Sequence, residues 1–133
     1  MRFLALLLLL PSLARAGLIF DDAWIKNLPP SVPVRAGYLT VTNPDSQGVK
    51  IVAVRGEGFT RIEIHRSVMR DGEMHMDQLQ ELEIGAGQSL RFEPGGLHLM
   101  MYPAKPTRPG ESYRISIELG DGSIRTIEMT VKK

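Results

Sequence analysis

The chain has 133 residues, a length typical of a single domain. It carries 16 basic and 15 acidic residues and no cysteine, which excludes disulfides, thiolate nucleophiles, Cys-x-x-Cys redox pairs, iron–sulfur clusters and blue-copper sites. A nearly neutral chain without a basic cluster is a poor nucleic-acid binder. The sequence also lacks the Gly-x-Ser-x-Gly and His-Glu-x-x-His patterns of hydrolases, so we expect a protein that is not an enzyme.

Residues 1–16 are typical of a secretory signal peptide. A positive start at Arg2 is followed by an apolar run over residues 3–13, and a small-x-small cleavage pattern ends at Ala16. The run is too short to span a bilayer, which needs about 20 apolar residues. A buried N-terminal strand or an uncleaved anchor is the alternative. Cleavage after Ala16 removes Arg2 and Arg15, which leaves an exported domain of residues 17–133 with 14 basic and 15 acidic residues.

The remainder of the chain has the pattern of an all-β protein. Gly and Pro recur about every ten residues, and the segments between them alternate in polarity. No segment is long enough for the crossover that joins parallel strands, so we expect a largely antiparallel sandwich or barrel. The predicted strands are 23–27, 37–43, 49–55, 61–69, 73–78, 81–84, 89–93, 97–102, 112–119 and 123–131.

Two of these strands place a histidine on the face away from the core, because side chains alternate between the faces of a strand. In the strand 61–69, Ile62 and Ile64 mark the core face, and His65 lies on the other face. In the strand 97–102, Leu97, Leu99 and Met101 mark the core face, and His98 and Met100 lie on the other.

The dipeptide Asp71-Gly72 predicts a two-residue hairpin turn between strands 61–69 and 73–78. This register brings Met76 to a diagonal position beside His65 and turns His75 to the opposite face. Five side chains then share the outer face of the hairpin: His65, Ser67, Met69, Met74 and Met76.

Imidazole and thioether groups together are soft ligands that favour Cu(I) over harder ions. Five of the six methionines after Met1 lie between positions 69 and 101, and exposed methionine without a function is a liability because it is oxidisable. Each residue also has a plainer interpretation, since single histidines are often ordinary surface residues and methionines often fill cores. From the residues alone, a solvent-facing soft-metal site and a metal-free surface both remain open.

The spacing of the four main candidates resembles the motif of the periplasmic copper chaperones called PCuAC. His65 is followed by ten residues and Met76, then by twenty-one residues and His98, then by one residue and Met100. Four flanking segments are also similar to the family: Asp22-Ala23-Trp24-Ile25, Ala36-Gly37-Tyr38, Asp71-Gly72 and Gly95-Gly96-Leu97-His98-Leu99-Met100. The resemblance covers nearly all of residues 17–133.

The resemblance implies a cupredoxin-like antiparallel β-barrel or sandwich of the Greek-key type that binds one Cu(I) through His65, Met76, His98 and Met100. It also implies delivery of copper in the periplasm to the CuA subunit of cytochrome c oxidase, with a Sco-type protein as a further partner. Met69, Met74 and His75 are auxiliary candidates beyond the family motif. We expect a monomer.

Two other functions stay open. A periplasmic copper-buffering or resistance protein would share the same ligands. A metal-free β-sandwich that binds a protein partner through an exposed methionine patch would not need the histidines. Electron transfer of the plastocyanin type is excluded, because it needs a cysteine ligand.

Overall fold

The computed structural model describes residues 17–133, and the predicted leader lies outside the described residues. All regular structure in that range is β, and no helix there is long and apolar enough to cross a membrane. Ten strands occur, as predicted. They are β1 (Ile19–Lys26), β2 (Arg35–Thr42), β3 (Val49–Gly56), β4 (Phe59–Arg70), β5 (Glu73–Leu79), β6 (Leu82–Ile84), β7 (Ser89–Arg91), β8 (Leu97–Pro103), β9 (Ser112–Leu119) and β10 (Ile124–Lys132).

The strands form one mixed sheet in the order β5-β4-β8-β2-β1-β10-β9-β3-β6, with β7 added beside β2. The named strands pair antiparallel, as predicted, except that β1 and β10 pair in parallel. A short connection cannot join parallel neighbours, but the whole domain lies between these two strands in sequence. The sheet also curls back on itself, because β3 and β4 are in contact although they lie far apart in the strand order.

The core lies on the concave side of this sheet and is almost entirely aliphatic. Its largest fully buried side chains include Leu18, Ile25, Ile84, Leu99, Met101, Ile115, Leu119 and Met129. Gly37 is required where β2 crosses this core, because a Cβ atom there would lie 2.8 Å from Met101 Sδ and 3.1 Å from Leu99 Cβ. Close packing of β2 against β8 therefore holds β8 firmly in place.

The β4–β5 hairpin has the predicted register. Arg70 pairs with Glu73 across the turn, Met69 pairs with Met74, and Ser67 pairs with Met76. Asp71 and Gly72 both have positive φ, at 50° and 79°, as a type I′ turn requires. The turn sequence therefore sets which side chains of β5 share a face with those of β4.

Replacing Gly72 with valine is expected to destabilise the protein by about 1–2 kcal/mol, because a β-branched residue is strained at positive φ. Nothing lies within 4 Å of the added Cβ, so the cost is one of backbone conformation and not of collision. Urea denaturation measures it. Gly96→Ala, outside the positive-φ glycines, is the comparison, and an equal loss for the two variants would contradict the explanation.

Candidate metal centre

The four predicted ligands lie on one face of three adjacent strands. His65 on β4 is directly opposite His98 on β8. Met100 on β8 is opposite Glu63, two residues before His65. Met76 on β5 is opposite Ser67, two residues after His65. The structure therefore brings together side chains that are up to 35 positions apart in the sequence.

The two histidine rings form the centre of this group. Their centroids are 5.8 Å apart, and the ring planes are inclined by 38°. An ion about 2.0 Å from one nitrogen of each ring lies roughly 3 Å from each ring centre, so rings at this separation can share one ion.

Three buried nitrogens of these rings have no hydrogen-bond partner: both nitrogens of His65 and Nε2 of His98. A buried polar atom without a partner costs about 1–3 kcal/mol and is rare in folded proteins. Here three such atoms belong to two facing imidazoles. A metal ion bound by the rings would satisfy one nitrogen of each, so the residues present fit such an ion.

The tautomer of His98 is set by the backbone. Its Nδ1 lies 3.1 Å from the carbonyl oxygen of Gly96, which can only accept, so Nδ1 carries the proton. The same carbonyl accepts a hydrogen bond from the backbone N–H of Ser67, also at 3.1 Å. Nε2 of His98 is left with a free lone pair, and a carbonyl partner on the other ring nitrogen is the usual support of a metal-binding histidine.

The two methionines differ in their surroundings. Met100 is half-buried, and its Sδ accepts a hydrogen bond of 3.1 Å from the hydroxyl of Tyr102. Met100 lies opposite Ala36 on its other side, a small residue that leaves room for the thioether. Met76 is 56% exposed and stands diagonal to His65, at roughly 7–8 Å between backbones. The Met100 sulfur is therefore held by a neighbouring side chain, whereas Met76 lies at the exposed edge of the group.

The two histidines do not face solvent, so the prediction of a solvent-facing metal site is wrong for them. The side chain of His65 is 12% exposed, and His98 is 7% exposed. The strand order explains the difference from Met76, because β5 is an edge strand whereas β4 and β8 have neighbours on both sides. The face away from the core is therefore open at the edge and covered towards the interior of the sheet.

Charged and aromatic side chains surround the group on the same face. The Glu63 carboxylate lies 3.8 Å from Nε2 of His65, too far for a hydrogen bond, and 3.2 Å from Nε of Arg61. The guanidinium of Arg61 stacks over the Tyr102 ring at 4.1 Å. Interaction with the Tyr102 side chain, and then with Glu63, raises the pKa of Arg61.

Sequence reasoning missed the roles of Tyr102, Glu63 and the Gly96 carbonyl. A signal for two of them was present, because Glu63 alternates in phase with His65, and Tyr102 alternates in phase with Met100. Alternation finds side chains that share a face, but it gives no sign of a backbone carbonyl such as that of Gly96.

The auxiliary candidates fall into two groups. Met69 and Met74 lie opposite each other on the outer face near the hairpin tip, and both are exposed. His75 pairs with Val68 on the other face, as predicted, and its Nε2 lies 3.7 Å from Glu73 Oε2. The structure therefore does not bring His75 to the histidine pair. Within residues 17–133, no group of three or more His, Cys, Asp or Glu side chains is arranged to hold an ion.

Residues 18–131 match the family described as "Putative lipoprotein LpqE-like". A protein of Leifsonia xyli subsp. xyli (strain CTCB07), described as "Putative lipoprotein Lxx21020", is 25% identical over 118 residues, which cover 87% of this chain and 70% of that protein.

Solved structures of PCuAC domains have a similar fold. The copper-bound PCuAC domain from PmoF2 matches with a TM-score of 0.73 and 14% identity, over 90% of this chain and 96% of that domain. The solution structure of Cu(I)-DR1885 from Deinococcus radiodurans matches with a TM-score of 0.67 and 28% identity, over 86% of this chain and 77% of that one. The all-β, cupredoxin-like fold class predicted from the sequence is confirmed.

Proposed function

Since the chain belongs to the LpqE-like family and has the fold of the PCuAC domains, we propose that it binds a single Cu(I) ion as cargo and hands it to another protein. The observation that carries the proposal is the pair of imidazoles of His65 and His98, whose ring centroids are 5.8 Å apart and of whose four ring nitrogens three are buried without a hydrogen-bond partner. The names of the similar solved structures support copper as the metal, because they describe copper-bound and Cu(I)-bound proteins.

In this proposal His98 binds through Nε2 and His65 through one of its free ring nitrogens. Met100 and Met76 supply the two sulfurs. All four donors are neutral, and the Glu63 carboxylate, 3.8 Å from Nε2 of His65, is paired with Arg61 and is not among the ligands. Thioether sulfur favours Cu(I), whereas Cu(II) prefers harder nitrogen and oxygen ligands.

The uneven exposure of the ligands favours exchange over permanent storage. Met76 lies on the edge strand and is exposed, whereas His98 is buried. An incoming ligand from an acceptor can therefore displace Met76 first, while the histidines and Met100 still hold the ion. The chemistry is binding and ligand exchange, and it needs no catalytic residue.

For the acceptor we propose the CuA subunit of cytochrome c oxidase, with a Sco-type protein as a further partner. Both follow from the resemblance of the His65–Met100 motif to that of the PCuAC chaperones. An exported location, after cleavage of residues 1–16, agrees with the lipoprotein names of the matching family and relative.

The test is an anaerobic titration of the purified protein with Cu(I) against a chromogenic chelator, followed by mixing with an apo CuA domain. One tight equivalent that moves to the CuA domain supports the proposal. One tight equivalent that does not move points to buffering. Absence of tight binding would overturn the copper function and leave the metal-free interaction domain.

Replacing Met100 with alanine is expected to weaken Cu(I) binding more than replacing Met69. Met100 lies beside the histidine pair and its sulfur is already oriented by Tyr102, whereas Met69 is near the hairpin tip. Competition with the same chelator gives both affinities. The reverse order would mean that the ligand set is wrong.

A further inference from the structure

The outer face of the β4–β5 hairpin carries an unusual concentration of exposed thioethers. Met69 is 63% exposed, and Met74 and Met76 are each 56% exposed. They make up three of the five exposed large hydrophobic residues in the described part of the chain. Exposed apolar side chains gathered on one face indicate a binding site, and an oxidisable side chain is a poor choice for a purely apolar surface.

The hairpin register brings the three sulfurs together. Arg70 and Glu73 flank the two-residue turn and form a hydrogen-bonded pair, so the next pair, Met69 and Met74, is a non-hydrogen-bonded one. Directly opposed residues in such a pair have Cα atoms about 4.5 Å apart and side chains in close reach. Met76 follows Met74 by two residues on the same face, and methionine side chains are flexible enough to converge.

The other face of the hairpin has the opposite character. Arg70 forms an ion pair with Asp77, and His75 lies near Glu73. Charged groups are therefore paired with one another on one side of the ribbon, and neutral sulfur donors collect on the other. Thioether sulfur is a soft donor, so the face that carries the three methionines suits a soft cation.

The outer face of the hairpin, which carries the three methionines, also carries His65 of the histidine pair. Met76 is diagonal to His65, and both ring nitrogens of His65 and Nε2 of His98 are buried without a hydrogen-bond partner. These nitrogens are the independent sign that an ion belongs on this side of the sheet.

We infer that Met69, Met74 and Met76 form a second, weaker Cu(I) site at the hairpin surface. This site captures the ion and passes it to His65 and His98 through Met76. The inference rests on the proposed Cu(I) function and adds the entry route to it. Met76 belongs to both sites, so the ion changes its partners one at a time and is never released to solvent. During the transfer the ion loses the sulfurs of Met69 and Met74 while Met76 stays bound to it.

The test compares the wild-type protein with the double variant Met69→Leu and Met74→Leu, because leucine keeps the apolar area and removes the sulfur. Both proteins are labelled with 13C at the methionine methyl groups and titrated anaerobically with Cu(I). In the wild type, a tight equivalent is expected to shift Met76 and Met100, and a weaker equivalent is expected to shift Met69 and Met74. The buried methyl of Met129, which is on β10 and 0% exposed, is the internal control and should not move.

In the double variant the weaker equivalent is expected to disappear, while the affinity of the tight site stays unchanged. The rate of loading from a Cu(I)–chelator complex is expected to fall severalfold. Unchanged stoichiometry and loading rate would overturn the inference, and would mean that the face serves only as an apolar surface for a protein partner.

A further variant separates this inference from the proposed function. With His65 and His98 both replaced by alanine, the tight equivalent is expected to be lost, while Cu(I) still shifts Met69 and Met74. Failure of the histidine site would appear as a wild-type protein with only the weak equivalent. Failure of the surface site would appear as Met69 and Met74 methyl signals that Cu(I) does not shift, both in the wild-type protein and in the variant that lacks His65 and His98.

Discussion

Replacing His98 with alanine is expected to abolish tight Cu(I) binding. Loss of an outer-shell partner alone typically costs a metal site about 10- to 100-fold in affinity, so loss of a ligand should cost more than about 100-fold. His98 is the best-prepared donor of the group, because the Gly96 carbonyl holds its Nδ1 and leaves Nε2 free and buried. Chelator competition, with the variant checked for folding by circular dichroism, measures the effect.

The chain offers a matched control in His75. It is one of only three histidines and lies on the same hairpin as Met76, but it is exposed and faces the other side of the sheet. His75→Ala should leave the tight equivalent intact. If His75→Ala and His98→Ala weaken binding equally, copper is bound by histidines in general and not by this face, and the proposed centre is wrong.

Much of this centre follows from local patterns in the sequence. Alternation along β4 and β8 assigns His65 and His98 to one face, and Asp71-Gly72 sets the register that brings Met76 to the same side. Both are properties of neighbouring residues, so short segments are enough to predict them. The spacing of the motif then supports the resemblance to PCuAC domains, which the structural matches confirm.

Burial of the centre depends on pairings that are distant in sequence. Whether His98 is open or covered depends on β8 lying between β4 and β2, and nothing in residues 97–103 indicates that order. The parallel pairing of β1 with β10 was missed for the same reason, because it joins the two ends of the domain. Local alternation tells which face a side chain occupies, but only the strand order tells how deep it lies.

The supporting contacts were equally beyond local patterns. The hydrogen bond from Tyr102 to Met100 joins residues whose shared face is predictable, but its geometry depends on rotamers. The Gly96 carbonyl meets both Ser67 and His98 because Gly96 continues the β4–β8 register one residue beyond the pair of Arg66 with Leu97. The motif identifies the candidate ligands, but these contacts determine how the Met100 sulfur and the His98 ring are oriented.

Replacing Leu99 with alanine is expected to destabilise the fold by about 2–5 kcal/mol, the usual cost of removing a buried leucine side chain. Leu99 is 2% exposed and stands between His98 and Met100 in sequence, on the opposite face of β8. It is opposite Gly37 on one side and Ile64 on the other. A loss of this size is a large part of the roughly 5–15 kcal/mol that stabilises a typical domain.

Urea denaturation of the metal-free protein measures this loss. Ile124→Ala is the control, because Ile124 is 60% exposed and should change stability by no more than about 0.5 kcal/mol. Below the unfolding transition, the Leu99 variant should still bind one tight Cu(I), because its ligands remain on the outer face. Cu(I) should also raise its unfolding midpoint, since an ion that binds only the folded state stabilises it. Loss of binding in a folded Leu99 variant would mean that the core face and the metal face of β8 are not separable.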